Sequence, residues 1–249
     1  MAQTAKPVQL KPHTVEAFDR YVREAEAGME QTLRGSSFLW CDGAAERAQQ
    51  ARAGRVVAQF WSGKGPVPAP DGLIHDWIGT VLIPGVAVED ALTLVQDYDH
   101  HEKIYQPEVM ASKLVSRRGD DFQIYLRLLK KKIVTVVLDT DHDVHYRALD
   151  GKRWTCCSYS TRIAEVEHAG RPKERVLPPD AGYGFLWRIY SYWRFQERDG
   201  GVYVECRAIS LTRDVPFGLG WVIEPIIQKL PRESLIRTLE ATRQALRAG

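Results

Sequence analysis

The sequence has almost no excess of charge of either sign, and this limits the partners it can bind. Its 249 residues include 34 Lys and Arg and 32 Asp and Glu, so the formal net charge at pH 7 is +2. A strongly basic chain would attract nucleic acid or an anionic membrane surface through its overall field. This chain has no such field, so we expect no nucleic-acid partner.

Long apolar runs are also missing. No uninterrupted stretch approaches the roughly 20 residues that a membrane-spanning helix needs, so we expect a soluble protein with no integral membrane segment. The first residues lack the basic segment followed by an apolar one that marks a signal peptide. They are equally compatible with the start of a mature exported chain, so the sequence leaves the cytoplasm and export open.

Cysteines are few and unpatterned. Cys41, Cys156, Cys157 and Cys206 show neither C-x-x-C spacing nor a companion His pair at zinc-finger distance. We interpret them as buried thiols. Adjacent Cys156 and Cys157 would point to opposite faces of a strand, which argues against a bond between them. We therefore predict no metal site.

The common motifs of phosphate, nucleotide and hydrolase chemistry are absent. The sequence contains no G-x-S-x-G, no G-x-x-x-x-G-K-[ST], no H-E-x-x-H, and no G-x-G-x-x-G beside a strand. No cofactor is predicted, and no catalytic residue is assigned.

What the sequence does contain is a long amphipathic segment at its end, residues 217–246. Leu235, Leu239, Thr242 and Leu246 follow the spacing i, i+4, i+7, i+11, which is one stripe of a helix. Because proline suits a first helical turn, we predict a short helical segment up to Leu230 and a main helix from Pro231. Such a stripe needs a large apolar surface to cover it.

Residues 1–72 are predicted to form a helical extension that packs on a main domain, residues 73–249. Its first helix spans residues 14–33 with Thr14 as N-cap. A shorter helix over 44–53 and a strand over 55–61 follow. Residues 62–72, rich in Gly and Pro, are predicted to be a linker or surface loop.

The main domain begins with a strand over 73–83 and two short helices up to residue 107, after which the apolar period changes to two. Strands are predicted over 110–118, 122–130, 133–146 and 153–166, and a long loop over 167–182.

The last hairpin gives a definite register. Asp199-Gly200 between two alternating runs predicts a two-residue turn, which places Arg194 opposite Glu205 and Trp193 opposite Cys206. The apolar face is predicted to contact the final helix and the polar face to meet solvent. On that basis Arg194 and Glu205 form a surface pair worth some tenths of a kcal/mol.

This order of elements, with the segments VEDALTLVQDY (88–98) and VPFGLG (215–220), resembles the SRPBCC superfamily. That group includes START lipid-transfer domains, birch-pollen-allergen proteins and polyketide cyclase/dehydrase-like bacterial proteins. The resemblance covers residues 73–249. It implies an α+β helix-grip fold, a curved antiparallel sheet around a long C-terminal helix, and a ligand cavity between the two.

The expected function is binding of a hydrophobic or amphipathic small molecule or lipid in that cavity, with transport as one use of such binding. We expect the cavity to be lined by aromatic, apolar and hydroxyl side chains. These candidates are Tyr159, Trp187, Ile189, Ser191, Trp193, Cys206, Ser210, Leu235, Leu239 and Thr242.

Two alternatives stay open. The first is a cyclase, dehydratase or lyase acting in the same cavity, although the predicted register places only Tyr159 and Cys206 there as titratable groups. The second is an interaction module whose cavity is filled by bulky side chains, with residues 1–72 or 167–182 as the contact surface.

Two polar clusters invite a catalytic or metal-binding interpretation. Consecutive residues on a turn rarely converge on one point, so we interpret the first cluster as solvent-exposed helix caps. The second is interpreted as a solvated strand edge. The clusters are Asp97, Asp99, His100, His101 and Glu102, and Asp139, Asp141, His142, Asp143 and His145.

Overall fold

The computed structural model describes residues 7–33, 37–131, 135–214 and 220–248, with side chains of the last helix described from residue 230 onward. The predictions made for residues 215–219 lie outside this part of the chain. So do those that concern side chains between residues 220 and 229.

The described residues form five α-helices, two single-turn 3-10 helices over Trp40–Gly43 and Tyr98–His100, and twelve strands. The α-helices are α1 (Pro12–Leu33), α2 (Ala45–Arg52), α3 (Val88–Gln96), α4 (His101–Ile104) and α5 (Gly220–Ala248). The strands are β1 (Val8–Gln9), β2 (Val57–Phe60), β3 (Val67–Ala69), β4 (Gly72–Pro84), β5 (Val109–Arg118), β6 (Asp121–Lys131), β7 (Thr135–Asp150), β8 (Arg153–Glu167), β9 (Arg175–Val176), β10 (Ala181–Gly182), β11 (Arg188–Arg198) and β12 (Gly201–Arg213).

One large antiparallel sheet dominates the described chain, with strand order β2-β4-β12-β11-β8-β7-β6-β5. Two short strands join it at the sides, β3 on β4 and β9 on β8, and β1 pairs separately with β10. A long C-terminal helix packs on one face of this sheet. The predicted helix-grip fold is therefore confirmed.

Helix α5 lies against β4 through a glycine. A Cβ atom at Gly79 would stand 3.0 Å from Leu239 Cδ1 and 3.2 Å from Leu235 Cδ2, so only glycine allows this close approach. We call the sheet face that carries Gly79 the inner face and the opposite one the outer face. The predicted stripe is confirmed, since Leu235, Leu239 and Thr242 are all buried.

The predicted break before Pro231 is wrong, because α5 is one helix through that position. A proline removes one intrahelical hydrogen bond, whereas packing of the apolar stripe on the sheet stabilises the whole helix.

The register predicted for the last hairpin is confirmed residue by residue. Arg198 pairs with Gly201, Arg194 with Glu205, and Trp193 with Cys206. Cys206 pairs in turn with Gly79, which places Trp193 and Cys206 on the inner face.

Along β4, β12 and β11 the outer face is covered, contrary to the prediction that it meets solvent. Helix α1 lies over it, and its Phe18 and Val22 form a buried cluster with outer-face side chains that include Ile74, Ile209 and Leu211. The phenyl ring of Phe18 meets the ring of Tyr190 edge to face at 5.2 Å. Since both faces are covered here, the outer-face side chains of Asp76, Glu205 and Arg207 are buried and need partners.

The N-terminal part is also tied to the sheet by strands. β2 and β3 both hydrogen-bond to β4, so the predicted linker over 62–72 contains a strand. Thr14 lies inside the first turn of α1 and is not its N-cap; its hydroxyl donates to the Pro70 carbonyl at 2.8 Å. The division of the chain at residue 72 stays a prediction.

The predicted loop over 167–182 contains β9 and β10. Its end is fixed to the sheet by Glu165, whose buried carboxylate accepts hydrogen bonds from the backbone N–H groups of Tyr183, Gly184 and Phe185. Among the helices of the described residues, none is long and apolar enough to span a membrane.

The close approach at Gly79 can be tested by mutation. We expect Gly79→Val to lower the free energy of unfolding by about 1–3 kcal/mol, because the added atoms push α5 from β4. In Gly79→Val/Leu239→Ala the clash with Leu239 is removed, so the combined loss should be smaller than the sum of the single losses. Urea denaturation measures the free energy of unfolding of the two single variants and the double variant.

Gly151→Ala is the control for this series, because a Cβ there meets nothing within 4 Å. Strict additivity of the two single losses would contradict the proposed contact.

Candidate functional site

A row of small side chains crosses the inner face. Ser158 of β8 pairs with Ser191 of β11, Ser191 with Ala208 of β12, and Ala208 with Trp77 of β4. Ser158, Ser191 and Ala208 are only half-buried, although this is the face that packs against α5. The described part of the chain therefore leaves accessible space above them. We call these three residues the small-residue row.

Larger apolar side chains border the row. Ile189 and Trp193 lie on either side of Ser191 along β11, on the same face, and both are half-buried. The indole N–H of Trp193 donates to the Ser191 hydroxyl at 3.1 Å, and its ring stacks with that of Phe195. These contacts hold the Trp193 ring as a wall beside the row.

Two buried nitrogen atoms next to the row have no hydrogen-bond partner among the described residues. They are Nε1 of Trp77, the strand neighbour of Ala208, and Nδ1 of His75, two residues earlier on the same face. The other ring nitrogen of His75 lies 3.0 Å from the Thr212 hydroxyl. Buried polar atoms are rarely left unpaired, so these two mark a place where a ligand or water would find partners.

Burial lowers the pKa of His75 to about 4, so its imidazole is neutral at pH 7. Ser210 pairs with His75 across the strands and is buried beside it.

His142 is a second buried imidazole on this face, whereas the sequence analysis assigned it to a solvated strand edge. Its Nε2 lies 3.0 Å from the Thr140 hydroxyl and its Nδ1 lies 3.4 Å from the Ser158 hydroxyl. Burial lowers its pKa to about 4, so it too is neutral at pH 7. The signal was available, because His142 alternates with two aspartates and therefore points to the opposite face.

The interpretation of residues 139–145 as a solvated strand edge is wrong about the edge, although Asp143 and His145 are exposed as it implies. β7 lies between β6 and β8 in the sheet. Asp139 is buried in a two-bond ion pair with Arg127, and Asp141 pairs with Arg162 at 2.6 Å. These carboxylates stabilise the outer face and are not arranged as a site.

The other polar cluster divides between surface and core. Asp97 and His100 form an exposed pair, in agreement with the interpretation as caps. His101 is buried, and its Nε2 lies 3.1 Å from the Val95 carbonyl. Within the described residues, no group of three or more His, Cys, Asp or Glu side chains could hold a metal ion.

Four of the predicted cavity residues lie at an end of the inner face that is closely packed. Cys206, Leu235 and Leu239 belong to the main core around Gly79. The Thr242 hydroxyl lies 3.2 Å from that of Tyr105, whose pKa burial raises to about 12. These residues fill space, whereas Ile189, Ser191 and Trp193 border accessible space.

Two of the predicted residues are on the wrong face. Tyr159 alternates with Ser158, so it points outward, and its hydroxyl donates to Glu26 of α1 at 2.8 Å. Trp187 precedes the first residue of β11, where the alternation no longer applies, and it packs in the cluster under α1. The titratable groups on the inner face include His75 and His142, which the predicted register omitted.

The outer face carries a buried polar network. Arg207 forms two hydrogen bonds to Asp76, at 2.9 and 2.6 Å, and Tyr21 of α1 donates to the same carboxylate at 2.7 Å. The two buried charges, Asp76 and Arg207, thus have partners.

The predicted surface pair of Arg194 and Glu205 is wrong on both counts, because Glu205 is buried and the two bind different partners. The Glu205 carboxylate accepts the backbone N–H of Trp40, at 2.9 and 3.0 Å. Arg194 donates to the carbonyl groups of Phe38 and Met29 and to the Thr32 hydroxyl. Burial raises the pKa of Glu205 to about 7, although the Trp40 N–H and Arg194 oppose this.

Several solved structures are similar to the chain at low sequence identity. A STAR-related lipid transfer protein from Xanthomonas axonopodis is 19% identical with a TM-score of 0.49, and the match covers 74% of this chain and 99% of that one. A START superfamily protein from Mycobacterium smegmatis is 13% identical with a TM-score of 0.46, covering 70% and 98%. The Zhui aromatase/cyclase from Streptomyces sp. R1128 is 11% identical with a TM-score of 0.44, covering 70% and 94%.

No protein-family model and no curated protein matches the chain. The fold assignment depends on the strand order and the position of α5 described above.

The buried carboxylate of Glu205 predicts a pH dependence of stability. A pKa of about 7 in the folded chain, against 4.5 as the ordinary value, means that the folded state binds more protons between these values. Stability should therefore fall as the pH rises through this window, by about 2 kcal/mol from pH 5 to pH 8 for this group. Glu205→Gln removes the group, so its stability relative to the parent chain should improve by that amount over the same range.

Urea denaturation at pH 5, 6, 7 and 8 measures the effect, with Glu16→Gln on the exposed side of α1 as control. Parallel pH profiles for the parent chain and Glu205→Gln would show that Glu205 does not titrate in this range.

Proposed function

We propose that the protein binds a hydrophobic or amphipathic small molecule, such as a lipid, between the inner face of the sheet and α5. The observation that supports this most is the small-residue row, Ser158, Ser191 and Ala208, which stays half-buried on the core side of the sheet. A face whose purpose was packing alone would carry larger side chains there, because protein interiors are filled to crystal-like density.

The composition of the walls favours a ligand with a large apolar part. Trp193 and Ile189 offer apolar surface beside the row, and burial of such surface contributes about 25 cal/mol per Å². Ligand pockets typically combine walls of this kind with a few polar groups that fix orientation.

The polar groups favour a ligand with at least one hydrogen-bonding atom. Nε1 of Trp77 is a donor and Nδ1 of His75 is a donor or an acceptor, and neither has a partner among the described residues. An apolar ligand would leave both nitrogen atoms without a hydrogen bond, which costs about 1–3 kcal/mol of binding free energy for each buried group. A ligand hydroxyl or carbonyl placed between them would remove that penalty. We therefore favour an amphipathic ligand over a pure hydrocarbon.

An enzyme that uses the same space is the second candidate, as a cyclase, dehydratase or lyase. The observation in its favour is the pair of neutral imidazoles on the inner face, His75 and His142, whose pKa values burial lowers to about 4. A neutral imidazole can accept a proton from a bound substrate. Conversion of a captured ligand by the parent chain and not by His142→Gln would favour this candidate.

Binding above the row can be tested by filling it. Ala208→Trp places a large ring over Ser191, which excludes a ligand from the space above the row. We therefore expect the affinity for the uncharged apolar dye Nile red to fall about tenfold or more. Dye fluorescence at increasing protein concentration measures the affinity. Val115→Trp, on the exposed part of edge strand β5, is the matched control and should bind as the parent chain does.

Equal dye affinity in the two variants, or no dye binding by the parent chain, would rule out a ligand space above this row. Thermal unfolding of both variants shows whether they are folded.

A further inference from the structure

A cavity of about 220 Å³ lies on the outer face of the sheet, under the N-terminal helices and away from the small-residue row. Helix α1, the segment from residue 37 to 47 and the outer-face side chains of β4, β11 and β12 form its walls. The N-terminal part of the chain therefore forms a partly open cavity of its own against the sheet.

Two guanidinium groups in the walls bind only neutral acceptors in the described part of the chain. Arg194 donates to backbone carbonyls and to the Thr32 hydroxyl, and Arg47 donates to the Trp40 carbonyl at 3.0 Å. Nε of Arg47 is buried with no hydrogen-bond partner among the described residues. A third guanidinium, that of Arg207, is balanced by its ion pair with Asp76.

Glu205 is the one acid among the described residues that line the cavity. Its carboxylate is already occupied by the Trp40 N–H. The walls thus hold two arginines, Arg47 and Arg194, that contact no carboxylate, and one acid, Glu205. The walls therefore have an excess of positive charge. Both arginines are half-buried, and this excess favours an anionic ligand, because guanidinium groups bind carboxylates through charge-assisted hydrogen bonds.

Aromatic rings supply much of the remaining wall. The Arg47 guanidinium lies 4.2 Å from the centre of the Trp40 ring, and that of Arg207 lies 3.9 Å from the Trp61 ring. Met29 and Ile78 add apolar surface. Since the cavity is smaller than the roughly 300 Å³ at the lower end of pockets for drug-sized ligands, it fits a compound of one or two rings.

We propose that this cavity is a binding site for a small aromatic carboxylate, whose carboxylate is bound by Arg47 and Arg194 and whose ring lies against the aromatic wall. The site does not depend on the proposed ligand space under α5, because the sheet separates the two.

Calorimetric titration of the full chain with 1-naphthoate and with its uncharged amide tests the charge requirement. We expect naphthoate to bind at least about tenfold more tightly than the amide, as hydrogen bonds to charged groups contribute about 1.5–3 kcal/mol. Arg47→Gln should weaken naphthoate binding and leave amide binding unchanged.

A filling variant tests the location. Gly28 of α1 lines the cavity, and a Cβ there meets nothing within 4 Å. The Cβ of Gly28→Phe is therefore accommodated, and we expect its ring to fill part of the cavity, while replacement of a helical glycine stabilises the helix. We expect naphthoate affinity to fall about tenfold or more in Gly28→Phe and to stay at the parent level in Gly28→Ala, with unfolding temperatures no lower than that of the parent chain.

Three results would each overturn the proposal: no naphthoate binding by the parent chain, equal affinity for the amide, or unchanged affinity in Gly28→Phe. If Ala208→Trp abolished naphthoate binding and Gly28→Phe did not, the anion would bind under α5 and the proposal would be wrong. Naphthoate binding that survives in Ala208→Trp supports it.

Discussion

The buried ion pair of Arg207 and Asp76 determines how the chain covers its sheet. Both side chains are at most 5% exposed, on the face opposite the C-terminal helix. Removal of two charges from water costs several kcal/mol per ion unless further hydrogen bonds satisfy them. Tyr21 of α1 donates one such bond to Asp76. The N-terminal helices are therefore part of what makes this face stable, and they cover strands whose outer side was expected to meet solvent.

The two covers differ in chemistry. On the inner face, α5 packs through leucines against Gly79 at one end, and small residues leave space farther along the strands. On the outer face, aromatic and charged side chains meet backbone groups of residues 38–40. An apolar or amphipathic ligand suits the first face, and an anion suits the second. Because successive side chains of a strand point to opposite faces, one sheet can carry an apolar environment on one face and a charged one on the other.

Much of the architecture could be predicted from the sequence. The Asp199-Gly200 turn determined the β11–β12 register, and the register separated the two faces correctly from Ile189 to Ala208. What could not be predicted was the cover of the outer face, because contacts between α1 and strands more than 150 residues later leave no local pattern. Tyr192 and Tyr203, both buried, were a signal that the supposed solvent face was too aromatic.

The candidate site was predictable only in part. Ile189, Ser191 and Trp193 lie where alternation places them, whereas Tyr159 and Trp187 were assigned by residue type and lie under α1. His75 and Trp77 were missed because an unpaired nitrogen is visible only once the strands are paired, whereas the alternation around His142 already indicated its face.

Native mass spectrometry of the purified full chain, followed by organic extraction, tests the central claim most directly. Binding above the small-residue row predicts a stoichiometric apolar or amphipathic compound, carried through purification or taken up from a mixed lipid extract. A chain that keeps the mass of the bare polypeptide under both conditions would contradict it.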